Sequence, residues 1–138
     1  VGEDLPQSNN RVTLNRNEHD QWGLPVANVH YDDHQNDIAM RQHGYRQGRA
    51  LYDAIGAKNV YEAPPFPSFH NMGTCRMSER PLFGVVNKWG QSHDIPNLFI
   101  SDGSQYTTSG AGNPTLTIVA LAIRQADWIA LEMGRRSI

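Results

Sequence analysis

"SGAGNPTLTIVALAI", residues 109–123, joins an open loop to a dense apolar run, and its reading decides what the chain builds. The apolar period runs from about Pro114 to Met133. Asn113 is a suitable N-cap, and Pro114 suits the first helical position, where an N–H would have no partner in any case. Leu116, Val119, Ala120 and Ile123 line one face of the predicted helix, while Ile118, Leu121 and Ala122 fill much of the rest. A helix apolar nearly all round is expected to be buried on most sides. A lone domain of 138 residues has little room for that. Arg135 and Arg136 complement the helix dipole at its far end.

Working back from this helix, Leu98 to Ile100 follows a turn at Asp94-Ile95-Pro96-Asn97 and reads as a buried strand, with a second short strand from Val85 to Trp89. Residues 59–69 begin as a short strand, then become rigid and extended, because Pro64, Pro65 and Pro67 forbid helix. Asp32, Asp33 and Asn36 offer caps before a long helix that carries Ile38, Tyr45, Tyr52 and Ile55 on one face. Gly56 can close that helix in a left-handed turn. Residues 11–15 (RVTLN) and 26–31 (VANVHY) alternate apolar and polar around the turn formers of residues 20–25. They are expected to pair, with the long helix packing one side onto them. Strands and helices do not alternate regularly, so the fold class is α+β. It comprises a partial antiparallel sheet with a packed long helix, then one strand and a buried C-terminal helix.

Composition narrows the function. The chain is 38% hydrophobic and 19% charged, with a net charge of −2 and no basic stripe. Nucleic acid and anionic membrane are therefore poor partners. One cysteine, Cys75, rules out an internal disulfide and a multi-cysteine zinc site. No stretch approaches the ~18 apolar residues of a membrane span, and no segment of these residues reads as a signal peptide. The sequence starts at Val1 and reads as if entered mid-stream.

Three stretches carry possible chemistry, each with a plainer reading beside it. Gly110-Ala111-Gly112 suggests a dinucleotide fingerprint, but Thr115 occupies the third glycine position and no tight strand-to-helix turn precedes it. The fingerprint reading therefore fails, and on local evidence a flexible loop before an ordinary cap is preferred. Still, a helix start presents free N–H groups suited to an anion or a carbonyl oxygen gaining charge. In "FHNMGTCRM", residues 69–77, His70 follows the rigid proline approach and is a candidate proton acceptor if it faces a pocket. A single histidine is otherwise more often structural, and Cys75 is most simply a small buried side chain. His30, Asp32, Asp33, His34, Asp37 and His43 form a polar cluster that resembles a metal site in composition. Solvated surface is the preferred reading, because His30 and His34 do not share a helical face.

In order and spacing, "HNMGTCRM" (70–77), "NLFISDGS" (97–104) and "GNPTLTIVALA" (112–122) strongly resemble the C-terminal segment of the glucose–methanol–choline family of flavin-dependent oxidoreductases. "NRVTLN" and "DQWGLPVANVHY" look like the strands that open that family's C-terminal substrate region. Within the family the wording is most similar to dehydrogenases of sugars, polyols and sugar acids.

The resemblance implies that residues 1–97 are part of the substrate-binding region and 98–138 complete an FAD-binding domain. By the same resemblance His70 accepts the alcohol proton while hydride leaves for flavin, and Asn113 hydrogen-bonds the substrate oxygen. Asp102 and Gly103 fall where the family's loop passes the FAD pyrophosphate and ribitol. Asn113, Pro114 and Thr115 fall where the helix tip meets the flavin ring. The family's Gly-x-Gly-x-x-Gly turn is absent, so the chain is expected to be the C-terminal part of a longer enzyme. By itself it is expected to bind FAD weakly or not at all. Implied partners are an alcohol or sugar substrate, the N-terminal FAD domain and an electron-acceptor protein. Two alternatives stand: a lyase of the same family with a redox-idle flavin, and a free-standing α+β binding domain without catalysis.

Overall fold

The computed structural model describes residues 2–66, 69–108 and 110–138. Val1, Pro67 of the proline run and Ser109 of the glycine loop lie outside the described residues. The chain is α+β and divides into two compact units, Val1–Pro67 and Ser68–Ile138.

In the first unit, strands β1 (Arg11–His19) and β2 (Pro25–His30) pair antiparallel, as the alternation predicts. Val12 faces Val29 and Leu14 faces Ala27, so these apolar residues share one face of the ribbon. β1 outruns its predicted end by passing through an irregularity between Leu14 and His19, where the Asn15 side chain accepts from the Asn17 amide at 3.0 Å. Local chemistry makes the turn. The Asp20 carboxylate accepts from the Trp22 and Leu24 amides, both at 2.9 Å, and Gly23 supplies the positive φ of 81°.

Helix α1 (Gln35–Ala54) starts one step away from the expected caps. His34 is the N-cap: its Nδ1 accepts from the Asn36 amide at 3.1 Å, and the Asp37 carboxylate accepts from the His34 amide at 2.9 Å. Asp32 and Asp33 are suitable by type, but only His34 has a carboxylate three residues ahead to return the bond. Asp33 instead pairs with Arg41 at 2.6 Å. The far end follows the sequence: Gly56 has φ 75°, and its amide and that of Ala57 bond the Asp53 and Tyr52 carbonyls.

Two expectations for this unit fail. Asp37 is not solvated surface but 2% exposed, because its other oxygen accepts from the Leu5 amide at 3.1 Å. Nor does α1 pack a face onto the strands. Among the described residues it makes no extended contact with either, and Ile38, Leu51, Tyr52 and Ile55 stay exposed. Residues 59–66 form no strand. They are tied to α1 by the Tyr45 hydroxyl, which donates to the Ala63 carbonyl at 2.6 Å.

The second unit is a lattice of loops around one helix. The strands expected at Val85–Trp89 and Leu98–Ile100 are reduced to single bridges, Met77 with Val86, Val86 with Ser92 and Gln91 with Phe99. Val86, at the crossing of two of them, is the one apolar side chain classed as buried among the described residues. Helix α2 (Thr115–Arg135) closes on Arg136 in the left-handed conformation. Ile118, Leu121, Ala122, Gln125, Trp128 and Ile129 turn toward the lattice at helical spacing.

The opposite side of α2 corrects the expectation of a buried helix. Leu116 is 84% exposed, and Val119, Ile123, Leu131 and Met133 are open as well. One face suffices to meet the unit's own loops, and nothing else among the described residues covers the other. Among the described residues no helix is long and apolar enough to cross a membrane.

Candidate functional site

Two of the motifs are brought side by side. The Cys75 amide donates to the Ser104 carbonyl at 2.9 Å and the Met77 amide to the Gln105 carbonyl at 2.8 Å, so residues 75–77 run along 104–105. At the head of the second segment, the Asp102 carboxylate accepts from the Ser104 amide at 2.8 Å and starts a single 3-10 turn, Gly103–Gln105. Gly103 is where the stretches converge. A Cβ there would stand 3.4 Å from Ile118 Cδ1 of α2, 3.7 Å from Met72 Cγ and 3.8 Å from the Asn71 carbonyl oxygen. Gly73, at φ 86°, lets the first segment bend past the Tyr106 carbonyl.

The chain then reaches the start of α2. The helix begins at Thr115 with Pro114 at the cap position, not at Pro114 with Asn113 as cap. The Pro114 carbonyl accepts the first helical bond, from Ile118, at 3.0 Å, and its own φ and ψ (−85° and −6°) are already helical. Among the described residues no side chain caps this end, and its first turn holds no acidic residue. The first amides of a helix have no carbonyl partner within it. Beside them lies an open cleft of about 280 Å³ lined by Tyr106, Thr108, Gly112, Asn113, Pro114 and Thr117.

Of the residues singled out in the sequence, Asn113 and Pro114 thus share the cleft, and Thr115 opens the helix beside it. Asp102 and Gly103 form the preceding turn. His70 is half-buried two residues before Met72 and is not part of the cleft lining. Tyr106, Thr108 and Thr117 were not singled out. Their signal is positional: they flank the glycine loop on both sides. The Tyr106 hydroxyl is buried and has no hydrogen-bond partner among the described residues.

The polar cluster near α1 is accounted for by structure. His34 and Asp37 cap the helix, Asp33 holds Arg41, and His30 lies 3.2 Å from Asp32 in the open. Among the described residues no three His, Cys, Asp or Glu side chains are disposed to hold a metal ion. The cleft suits a different group. An uncapped helix start with a glycine turn beside it can take a flat ligand edge carrying a carbonyl or negative charge.

A glycine turn and an open helix start thus meet at one cleft of an α+β chain. Comparison with known proteins gives the family. The profile described as GMC oxidoreductase matches residues 6–122, and the chain belongs to that family. It is 47% identical over 133 residues to a 2-methyl-1,2-propanediol dehydrogenase of Mycolicibacterium austroafricanum, covering 94% of this chain and 24% of that protein. It is 36% identical over 129 residues to the fructose dehydrogenase large subunit of Gluconobacter japonicus, covering 91% and 23%. A paromamine 6'-oxidase of Streptomyces fradiae is 33% identical over 136 residues, covering 96% and 25%. The chain spans about a quarter of the length of these relatives.

Proposed function

We propose that this chain acts as the C-terminal region of an FAD-dependent enzyme that oxidises an alcohol group of a polyol, sugar or sugar acid. Residues 1–97 would contribute to the substrate side and 98–138 would complete the FAD-binding domain. One observation carries the reading: the segment after His70 and the Asp102–Gly103 turn run together against the first turns of the helix that Asn113 leads into. Family membership and the names of the relatives, a diol dehydrogenase and a fructose dehydrogenase among them, support the substrate class.

Bound FAD would supply the hydride acceptor. The chain's own residues supply the rest. His70 takes the hydroxyl proton at a ring nitrogen, a role suited to imidazole because it exchanges protons near neutral pH. Asn113 donates an amide N–H to the substrate oxygen and fixes its approach. The first amides of α2 stabilise negative charge placed before them by about 0.5–2 kcal/mol. Gly112 keeps the cleft open to a flat group. Asp102 and Gly103 would line the path of the cofactor's phosphates, with the backbone at residue 103 close to Ile118 and Met72.

The test is anaerobic mixing of the full-length enzyme with a panel of polyols, sugars and sugar acids, following flavin absorbance. Bleaching by a member of the panel is expected, and it excludes redox-idle lyase chemistry. His70→Ala should slow bleaching by ~10²-fold or more. A wild-type enzyme that stays oxidised with every alcohol overturns the function, and an unchanged rate in the variant removes His70 from its role. The isolated chain should bind FAD weakly or not at all, which fluorescence titration checks.

A further inference from the structure

We propose that Gln125 is the positioning residue that holds the tip of α2, and with it Asn113, in register with the Asp102–Gly103 turn; this inference rests on the function proposed above. Gln125 is 6% exposed and is the buried residue of a helix otherwise open or half-buried. Its Nε2 donates to the Trp89 carbonyl at 2.9 Å and to the Ile100 carbonyl at 2.8 Å. Both amide protons are thus committed to backbone outside the helix.

The far side of this clamp is rigid. The Ile100 amide donates to the Gly90 carbonyl at 2.8 Å, locking the two loop segments that Gln125 grips. Gly90 has φ 72°, and a Cβ there would stand 2.1 Å from Gln125 Nε2. The same Cβ would stand 2.6 Å from the Ile100 carbonyl oxygen, so no side chain fits at residue 90. One turn along the helix, the Trp128 ring stacks on Trp89 with centroids 5.5 Å apart. Ile100 lies two residues before Asp102, so the grip reaches the candidate site through a short stretch of backbone.

The chemistry of the side chain argues for register over stability. A buried amide carries a desolvation cost that an apolar side chain of the same volume avoids. What the amide adds is direction: two carbonyls aimed at one nitrogen fix the helix in rotation and in axial position, where apolar packing would let it slide. Gln125 stands ~15 Å along the axis from the first residue of α2 at ~1.5 Å per residue. A tilt of a few degrees about that point displaces the helix tip by about 1 Å, and a misplacement of that size costs on the order of 10²-fold in rate.

The experiment compares wild type with Gln125→Met, which keeps length and volume and removes both donors, in the full-length flavoenzyme. Flavin content, thermal midpoint and single-turnover flavin reduction are measured together. The expected result is a limiting reduction rate per bound flavin lower by ~10- to 100-fold, with a smaller change in the half-saturating substrate concentration. A residue that only stabilises the fold would lower the thermal midpoint and flavin content but leave the rate per bound flavin at its wild-type value; that result overturns the inference. If Gln125→Met fails to fold, Gln125→Leu, which also removes both donors, is measured and read in the same way. A wild-type enzyme that no alcohol reduces removes the proposed function, and the positioning role with it. A working wild type with variants at its rate removes the positioning role alone.

Discussion

Replacing Asp37 with asparagine tests how the first unit is held together. The carboxylate accepts one backbone amide on each oxygen, Leu5 at 3.1 Å and His34 at 2.9 Å, in a side chain 2% exposed. Asparagine has the same shape but only one acceptor oxygen. In either orientation its NH2 group meets one of the two amides donor to donor. The loss is one hydrogen bond to a charged acceptor plus a backbone N–H left without a partner, and about 2 kcal/mol is expected. At about 1.4 kcal/mol per factor of ten, that is roughly a thirtyfold shift in the local opening equilibrium. Amide hydrogen exchange reads it directly: protection at Leu5 or His34 should fall roughly thirtyfold, while Trp22 and Leu24, bonded to Asp20, keep theirs. Unchanged protection at both Leu5 and His34 would refute the assignment of Asp37 as the pin between the N-terminal segment and α1.

The Tyr31 hydroxyl, bonded to Asp4 at 2.9 Å, is lifted well above the usual tyrosine range, first by burial and then by that bond. A raised folded-state value means the contribution is complete below the ordinary value of about 10 and is lost as pH rises through the folded one. Stability should therefore be level through neutrality, with an alkaline loss that disappears in Tyr31→Phe; phenolate absorbance follows it. Glu132 is held below its usual range, chiefly by the hydrogen bond from Ser137 and then by Arg135. Its contribution is present above the ordinary carboxylate value and is lost as pH falls through the lower folded one, so Ser137→Ala should move the Glu132 carboxyl midpoint upward in an NMR titration. Gly56→Ala meets open space at φ 75°, so its cost is conformational alone, about 1–2 kcal/mol in thermal melts. Asn113→Ala in the full-length enzyme should slow flavin reduction by ~10-fold or more without unfolding α2, a comparison of stopped-flow rate with circular dichroism.

What the sequence made legible was local chemistry. The hairpin follows from Asp20 and Gly23, and the end of α1 follows from Gly56, because each needs only neighbours along the chain. The start of α1 differs from the expected caps because several side chains of capping type stand together, and the reciprocal bond between His34 and Asp37 decides among them. The short strands near residues 86 and 99 dissolve into single bridges because their backbone bonds are shared among several loops rather than one partner. The candidate site was legible as motifs but not as a lining. Asp102, Gly103 and Asn113 stand in recognisable strings, whereas Tyr106, Thr108 and Thr117 acquire a role only when the loop folds back on the helix start. The exposed face of α2 shows the limit of hydrophobic periodicity, which says that a face wants cover and not which residues provide it.

The three tryptophans of this chain are distributed so that the molecule labels itself. Trp22 stands 76% exposed at the hairpin turn of the first unit. Trp89 and Trp128 lie nearly parallel, 7° apart, in the second unit. Two indoles stacked in this way couple their electronic transitions and give a paired circular-dichroism signal that a solitary, solvated indole does not. Loss of that signal times the release of α2 from its loops, while the emission of Trp22 reports on the hairpin. The melting order of the two units can therefore be followed optically, with no probe added.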